Sequence, residues 1–382
     1  MAKDLEWRKQ NPVKTVFTYV RRSALLVAGL HLLATVADAA PLLGQPNAGF
    51  RVPASQAWLT PAQPAANSDR PPRRSTYCVA PGVVWHYERP GQLRWLTHIP
   101  RDLGQFPGYF QAANVPAFID IAAGSAALWA ADEPILHTAQ GLGRALHLDA
   151  TSTQKTLVYL PVRVGGAKVP LEFNVPDNLN SAFYYLGDGW THLTIASSFM
   201  AYGLLKRDNR AAQTATQLGE AILSTGLVVQ TLKRITGRQS PFRATNSRGA
   251  WEPLPAYSTY QSNVSNYDAF PTGHLATAMA TVTVIAENYP EHRYIRPVGY
   301  SLLGLLGYAM LNNGVHWASD YPLGIAIGYG FAKIAVRNGR TRVAPAEAGV
   351  GRLAPRRPWY QRGELAPFSY GPFTGGSVTW QL

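Results

Sequence analysis

Three short polar clusters interrupt an otherwise apolar, helix-forming stretch between Lys233 and Asp320, and their residue types suit a phosphate. They are Lys233 to Pro241 (Lys-Arg-Ile-Thr-Gly-Arg-Gln-Ser-Pro), Pro271 to His274 (Pro-Thr-Gly-His) and His316 to Asp320 (His-Trp-Ala-Ser-Asp). Pro271 to His274 stands directly before the apolar helical run Leu275 to Tyr289. Its backbone N–H groups therefore open a helix, where unsatisfied donors and the dipole favour an anion. His274 would face that anion as a proton donor. His316 and Asp320 are four residues apart, which on a helix puts both on one face. The carboxylate can then accept from one imidazole nitrogen and leave the other as nucleophile or base. Lys233 adds a fixed positive charge. A lysine, two histidines and an aspartate around a helix N-terminus are enough in principle for phosphoryl transfer through a phosphohistidine, with no metal and no other cofactor.

A lone Gly-His or His-x3-Asp more often marks a helix start or a surface pair. In this order and together, however, the three clusters resemble the motifs of the type 2 phosphatidic acid phosphatase and vanadium haloperoxidase superfamily, in an exported bacterial branch, over roughly residues 180 to 340. The resemblance implies an all-α helical bundle. It implies His316 as nucleophile, Asp320 as its orienter, His274 as the acid for the leaving oxygen, and Lys233, Thr272 and the Gly273 N–H as holders of phosphate oxygens. Two positions depart from the family pattern. Ser240 stands where an arginine usually precedes the first-motif proline, and Met310 stands where another arginine precedes the nucleophilic histidine by six residues. Both arginines would ordinarily bind the phosphate. Arg234, Arg238 and Arg243 lie close along the chain, and Arg238 or Arg243 is expected to take over.

The leading function on this reading is a metal-independent phosphatase acting on phosphate monoesters, either a lipid phosphate or a small phosphate ester. The alternative is an impaired member that holds an anionic ligand in the cell envelope. Vanadate-dependent halide oxidation ranks behind both, since it needs the same arginines.

Composition agrees with an anionic ligand. The 382 residues are 46% apolar and 15% charged, which argues for a sizeable core, and the net charge of +13 favours acidic partners. Those partners include a phosphorylated small molecule or lipid, with peripheral membrane contact. No nucleic-acid motif is present, nor a serine-hydrolase elbow, a paired-cysteine zinc site or a glycine-rich phosphate loop. Cys78 is the only cysteine, so stability must come from packing rather than intrachain disulfides.

Along the chain, residues 1–39 read as a signal peptide, with a basic start, the apolar stretch Ala24 to Val36 and Ala37-Asp38-Ala39 at a cleavage spacing, which implies export to the periplasm or cell envelope. An uncleaved anchor is the alternative. Residues 40–116 are Pro-rich and extended, with a hairpin expected from Gly82–Tyr87 and Leu93–Leu96. Residues 117–340 form the helical domain. Within it we expect two helices broken at Asp132-Glu133-Pro134, a hairpin over Thr156–Val175 around Gly165-Gly166, and at least five helices after residue 178. Asp188 is a candidate N-cap. No run outside the signal reaches about 18 apolar residues, so no span is expected; Tyr300–Leu311 and Leu323–Val336 read as core helices. The long loop Arg243–Phe270, with Trp251, Tyr257, Tyr260 and Tyr267, is expected to select substrate. Residues 341–382 read as an irregular tail.

Overall fold

Aspartate and asparagine side chains start three of the helices, with Asp188 among them as expected. Asn178 accepts from the Ser181 N–H, Asp188 from Trp190 and Asp208 from Ala211, at 2.7, 2.8 and 3.0 Å. A computed structural model of the chain describes residues 74–80, 83–91, 93–109, 114–164, 167–343, 363–370 and 373–380. The signal-peptide reading of residues 1–39 falls outside them. Among the described residues nine helices dominate: α1 (Ile99–Gln105), α2 (Val115–Ala145), α3 (Leu179–Tyr185), α4 (Gly189–Leu205), α5 (Asn209–Thr236), α6 (Tyr257–Ser262), α7 (Gly273–Asn288), α8 (Ile295–Asn312) and α9 (Tyr321–Gly339). The fold is mostly α-helical.

Helices α5, α7 and α9 pack on one another as the centre of the bundle, with α4 against α5 and α8 against α7. α9 is buried along almost its whole length, and Ile327, Phe331 and Ile334 meet Val229 of α5 and Ala276 of α7. Gly324 and Gly328, one turn apart on α9, permit this. A Cβ at Gly324 would lie 2.5 Å from the Thr272 carbonyl oxygen, and one at Gly328 would collide with the Ala276 carbonyl. The small residues thus let α9 approach the backbone at the start of α7. Gly328→Ala should cost about 1–3 kcal/mol by overpacking; an unchanged denaturation midpoint would show that the two helices can part freely.

Three small antiparallel sheets are added. Strands β1 (Arg74–Ala80), β2 (Val83–Glu88) and β5 (Thr341–Val343) form one in the order β1-β2-β5. It is fastened to the bundle through Tyr77 Oη on Asp208 and Tyr87 Oη on Asn288, at the start of α5 and the end of α7. The second sheet pairs β3 (Gln154–Val164) with β4 (Ala167–Pro176), the hairpin expected there. The third pairs β6 (Gly363–Tyr370) with β7 (Phe373–Trp380).

Several expectations are corrected. Val83–Glu88 is a strand, but its partners are β1 and β5, while Leu96 lies in a 3-10 turn, Arg94–His98. The tail expected to be irregular contains β6 and β7. Asp188 caps the start of α4 as expected, and α3 is a separate short helix before it. Conversely, Pro134 does not break α2. Proline deprives the Ala130 carbonyl of its usual donor, and Arg248 Nη2 approaches that oxygen at 3.5 Å. α2 is also the one helix among the described residues long and apolar enough to cross a membrane, with a hydropathy of 1.2 over its best window.

Candidate active site

The last turn of α5 carries Lys233 into the interior, 5% exposed, with Nζ 3.3 Å from Asp268 Oδ2. The chain then leaves the helix at Gly237, and Arg238 bridges to both Trp251 and Asp268. The Ala269 N–H donates to the Arg238 carbonyl at 2.9 Å, which ties the first motif to the segment entering α7. Thr272 precedes the first residue of α7. Its N–H is taken by the Asp320 carbonyl at 3.1 Å, and its hydroxyl lies 3.7 Å from Met310 Sδ. Gly273 starts the helix so close to Lys233 that a Cβ there would lie 3.9 Å from Nζ. The ammonium and the positive end of α7 therefore face the same space.

His274, in the first turn of α7, is half-buried against the Tyr184 ring, 4.7 Å between centroids, and its ring centre is 6.3 Å from that of His316. His316 and Asp320 do not share a helix. α8 ends at Asn312, and His316 lies in the turn before the 3-10 turn Ala318–Asp320 that leads into α9. The four-residue spacing instead lets the Asp320 carboxylate fold back onto the Trp317 N–H at 2.8 Å. His316 Nδ1 lies 2.7 Å from the Ala269 carbonyl oxygen and 3.5 Å from Asp320 Oδ2. A carbonyl can only accept, so Nδ1 carries the proton and Nε2 holds the lone pair. The expected acceptor was the Asp320 carboxylate; the main chain serves instead.

Arg238 is held inside. Its guanidinium is fully buried between the rings of Trp251 and Trp317, at 5.0 and 5.3 Å. Nη1 donates to Asp320 Oδ1 at 2.6 Å and Ser319 Oγ at 2.7 Å; Nη2 donates to Asp132 Oδ2 at 2.7 Å and the Arg248 carbonyl at 3.1 Å. Asp132 also accepts from the Ser319 N–H and hydroxyl, at 2.9 and 2.6 Å. All four Nη hydrogens are thus engaged, and the buried Nε–H is the one donor of this guanidinium without a partner among the described residues. Arg243 is exposed over the Phe242 ring at 5.4 Å, and Arg234 lies on the Tyr260 ring at 4.7 Å. Ser240 and Met310 are both buried. Of the two arginines expected to take over, Arg238 thus spends its Nη groups on interior carboxylates and keeps only Nε–H, and Arg243 lies at the surface.

Burial dominates the electrostatics. It pushes both His274 and His316 down to about 3, assisted by Lys233, and pushes Asp320 up to about 6 against the opposing pull of Arg238. Both imidazoles are accordingly neutral at ordinary pH. Asp268, Tyr184 and the Ala269 carbonyl were not singled out in the sequence, and Asp132 was named there only as part of an expected helix break. Asp132 had one legible signal, an acid within the apolar face of a long helix. Among the described residues no cluster of His, Cys, Asp and Glu is arranged to hold a metal ion. A cavity of about 310 Å³ between Arg89, Met200, Leu204 and Arg207 lies at the far end of the bundle, away from both histidines, and we give it no part in the chemistry.

Residues 214–344 match the family model of the PAP2 superfamily. Over this segment the chain is similar to the PAP2 superfamily. No curated protein matches the chain, and neither does any solved structure. The PAP2 match begins inside α5 and covers Lys233, Thr272, His274, His316 and Asp320. It leaves out α2, α3 and α4, so Asp132 and Tyr184 come to the PAP2 residues from outside it. Similarity to the PAP2 superfamily points to phosphatase or phosphoesterase chemistry in general.

Proposed function

We propose that the chain is a metal-independent phosphatase that hydrolyses phosphate monoesters through a phosphohistidine on His316. The observation that carries this reading is the Nδ1–H bond from His316 to the Ala269 carbonyl, which leaves Nε2 as a neutral nucleophile beside Lys233 and the N-terminus of α7. The Nε2 lone pair attacks phosphorus. As the P–O bond to the alcohol breaks, the leaving oxygen takes a proton from His274. Water then attacks the phosphohistidine, giving its proton to His274 and releasing phosphate and free His316. Asp320 keeps its orienting role through the turn rather than by taking the imidazole proton. Lys233, Thr272 and the Gly273 N–H remain the proposed phosphate contacts, and a lipid phosphate or small phosphate ester in the cell envelope remains the proposed substrate. Incubating purified protein with p-nitrophenyl phosphate and EDTA, then quenching in alkali, should yield nitrophenol and an acid-labile phosphohistidine. Absence of both sinks the proposal.

His274 must be protonated before it can donate, yet burial holds it near 3. An anion beside it must therefore raise its pKa, and phosphate binding near pH 6 must take up a proton. Calorimetric titration of inorganic phosphate in two buffers of different ionisation heat should show this uptake, and His274→Ala should lose it. Uptake undiminished in His274→Ala would remove His274 as the acid.

A second reading has its own support. With Ser240 and Met310 in place of arginines and the Nη groups of Arg238 held by carboxylates, an impaired member that holds an anionic ligand without turnover is the second reading.

A further inference from the structure

The side chains around the proposed phosphoryl position have little positive charge to offer. Before an anion binds, His274 and His316 are neutral, Ser240 and Met310 are uncharged, and Arg238 is spanned by two carboxylates. Lys233 supplies the ammonium, and Asp268 already sits on it at 3.3 Å. The lysine side chain is 6% exposed and the aspartate 27%, so the carboxylate occupies the more open side of the pair. It is fixed there by the main chain, because Asp268 bridges to Arg238 and the next residue, Ala269, holds His316. Its charge is felt at His316, Tyr184 and Tyr260, which places it among the groups around the two histidines.

We propose that Asp268 selects the charge of the ligand: its carboxylate competes with the incoming phosphoryl group for the Lys233 ammonium and favours a singly charged phosphoryl group over a doubly charged one. The inference rests on the phosphate site proposed above and narrows its substrate class. A dianion meets one ammonium and one carboxylate, and its second charge is left to the α7 N-terminus and to whatever proton His274 takes up, which is scarce at pH 8. A monoanion is balanced by the helix end and a shared ammonium. The carboxylate therefore penalises the second charge more than the first.

Binding separates this idea from the catalytic reading. Inorganic phosphate at pH 8, mostly dianionic, and dimethyl phosphate, a monoanion, are titrated calorimetrically into the full chain and into Asp268→Asn and Asp268→Ser, with folding checked by circular dichroism. Removing the carboxylate should tighten inorganic phosphate by about tenfold and dimethyl phosphate by only about two- to threefold. Lys233→Met should weaken both ligands. Unchanged or weaker phosphate binding in both folded aspartate variants would overturn the proposal, because Asp268 would then merely orient Lys233. An equal gain for the two ligands, or no binding by any variant, would overturn it as well. Turnover with no such gain removes the selection and leaves the phosphatase; the gain without turnover does the reverse.

Discussion

His316→Ala should lower turnover of an aryl phosphate by on the order of 10⁴- to 10⁶-fold, the scale seen when a nucleophile is removed from a site whose groups act together. The structure makes the expectation specific to one nitrogen. Nδ1 is committed to the Ala269 carbonyl at 2.7 Å, so attack belongs to Nε2, and alanine removes the only atom assigned to it. Asp320→Asn should act differently. The carboxylate accepts from Arg238 on one oxygen and from the Trp317 N–H on the other, whereas an amide has a single acceptor oxygen. One of those donors loses its partner, the turn that carries His316 loosens, and turnover falls while phosphate binding persists. Steady-state kinetics beside a phosphate titration read both effects. Full activity in His316→Ala would dismiss the phosphohistidine route.

The second large effect is on stability. Arg238→Ala leaves Asp132 and Asp320 fully buried without their cation, and removing one partner from such a network typically costs about 3–5 kcal/mol. Arg238→Lys should recover only part of this, since a single ammonium cannot span the four acceptors that the two Nη groups now reach. The pH dependence has a definite sign. A buried carboxyl with a raised folded pKa binds more protons folded than unfolded, so its contribution to stability grows as pH falls through that value. Asp320 stands at about 6 even with Arg238 present, and loss of the guanidinium raises it further. The gap in stability between Arg238→Ala and the parent should therefore narrow from pH 7 to pH 5 in denaturant titrations. A constant gap, or one below about 1 kcal/mol, would mean that the carboxylates are not held by this charge.

Local features were largely legible. Asp188 announced its cap, Gly165-Gly166 announced a hairpin, and Pro271-Thr272-Gly273-His274 before an apolar run announced the start of α7. Each depends on residues within a turn or two, where propensity and hydrogen bonding are local. Pro134 misled because α2 continues through it, with Arg248, 118 residues away, 3.5 Å from the carbonyl that the proline leaves without its helical donor.

By itself, the sequence determined the helical class, the order of the three motifs and the chemistry their side chains can perform. It could not determine which partner each side chain takes. Arg238 reads as a phosphate ligand because it lies within the first motif; it is an interior cation because Asp132, 106 residues upstream, reaches it first. The proton acceptor of His316 is a backbone carbonyl, which every residue possesses and no residue type reveals. His316 and Asp320 fit a helix by spacing, yet the chain turns there between α8 and α9, and Gly324 and Gly328 permit α9 to lie against the start of α7. Buried charges settle on whichever opposite charge packing brings closest, and that choice belongs to the tertiary structure.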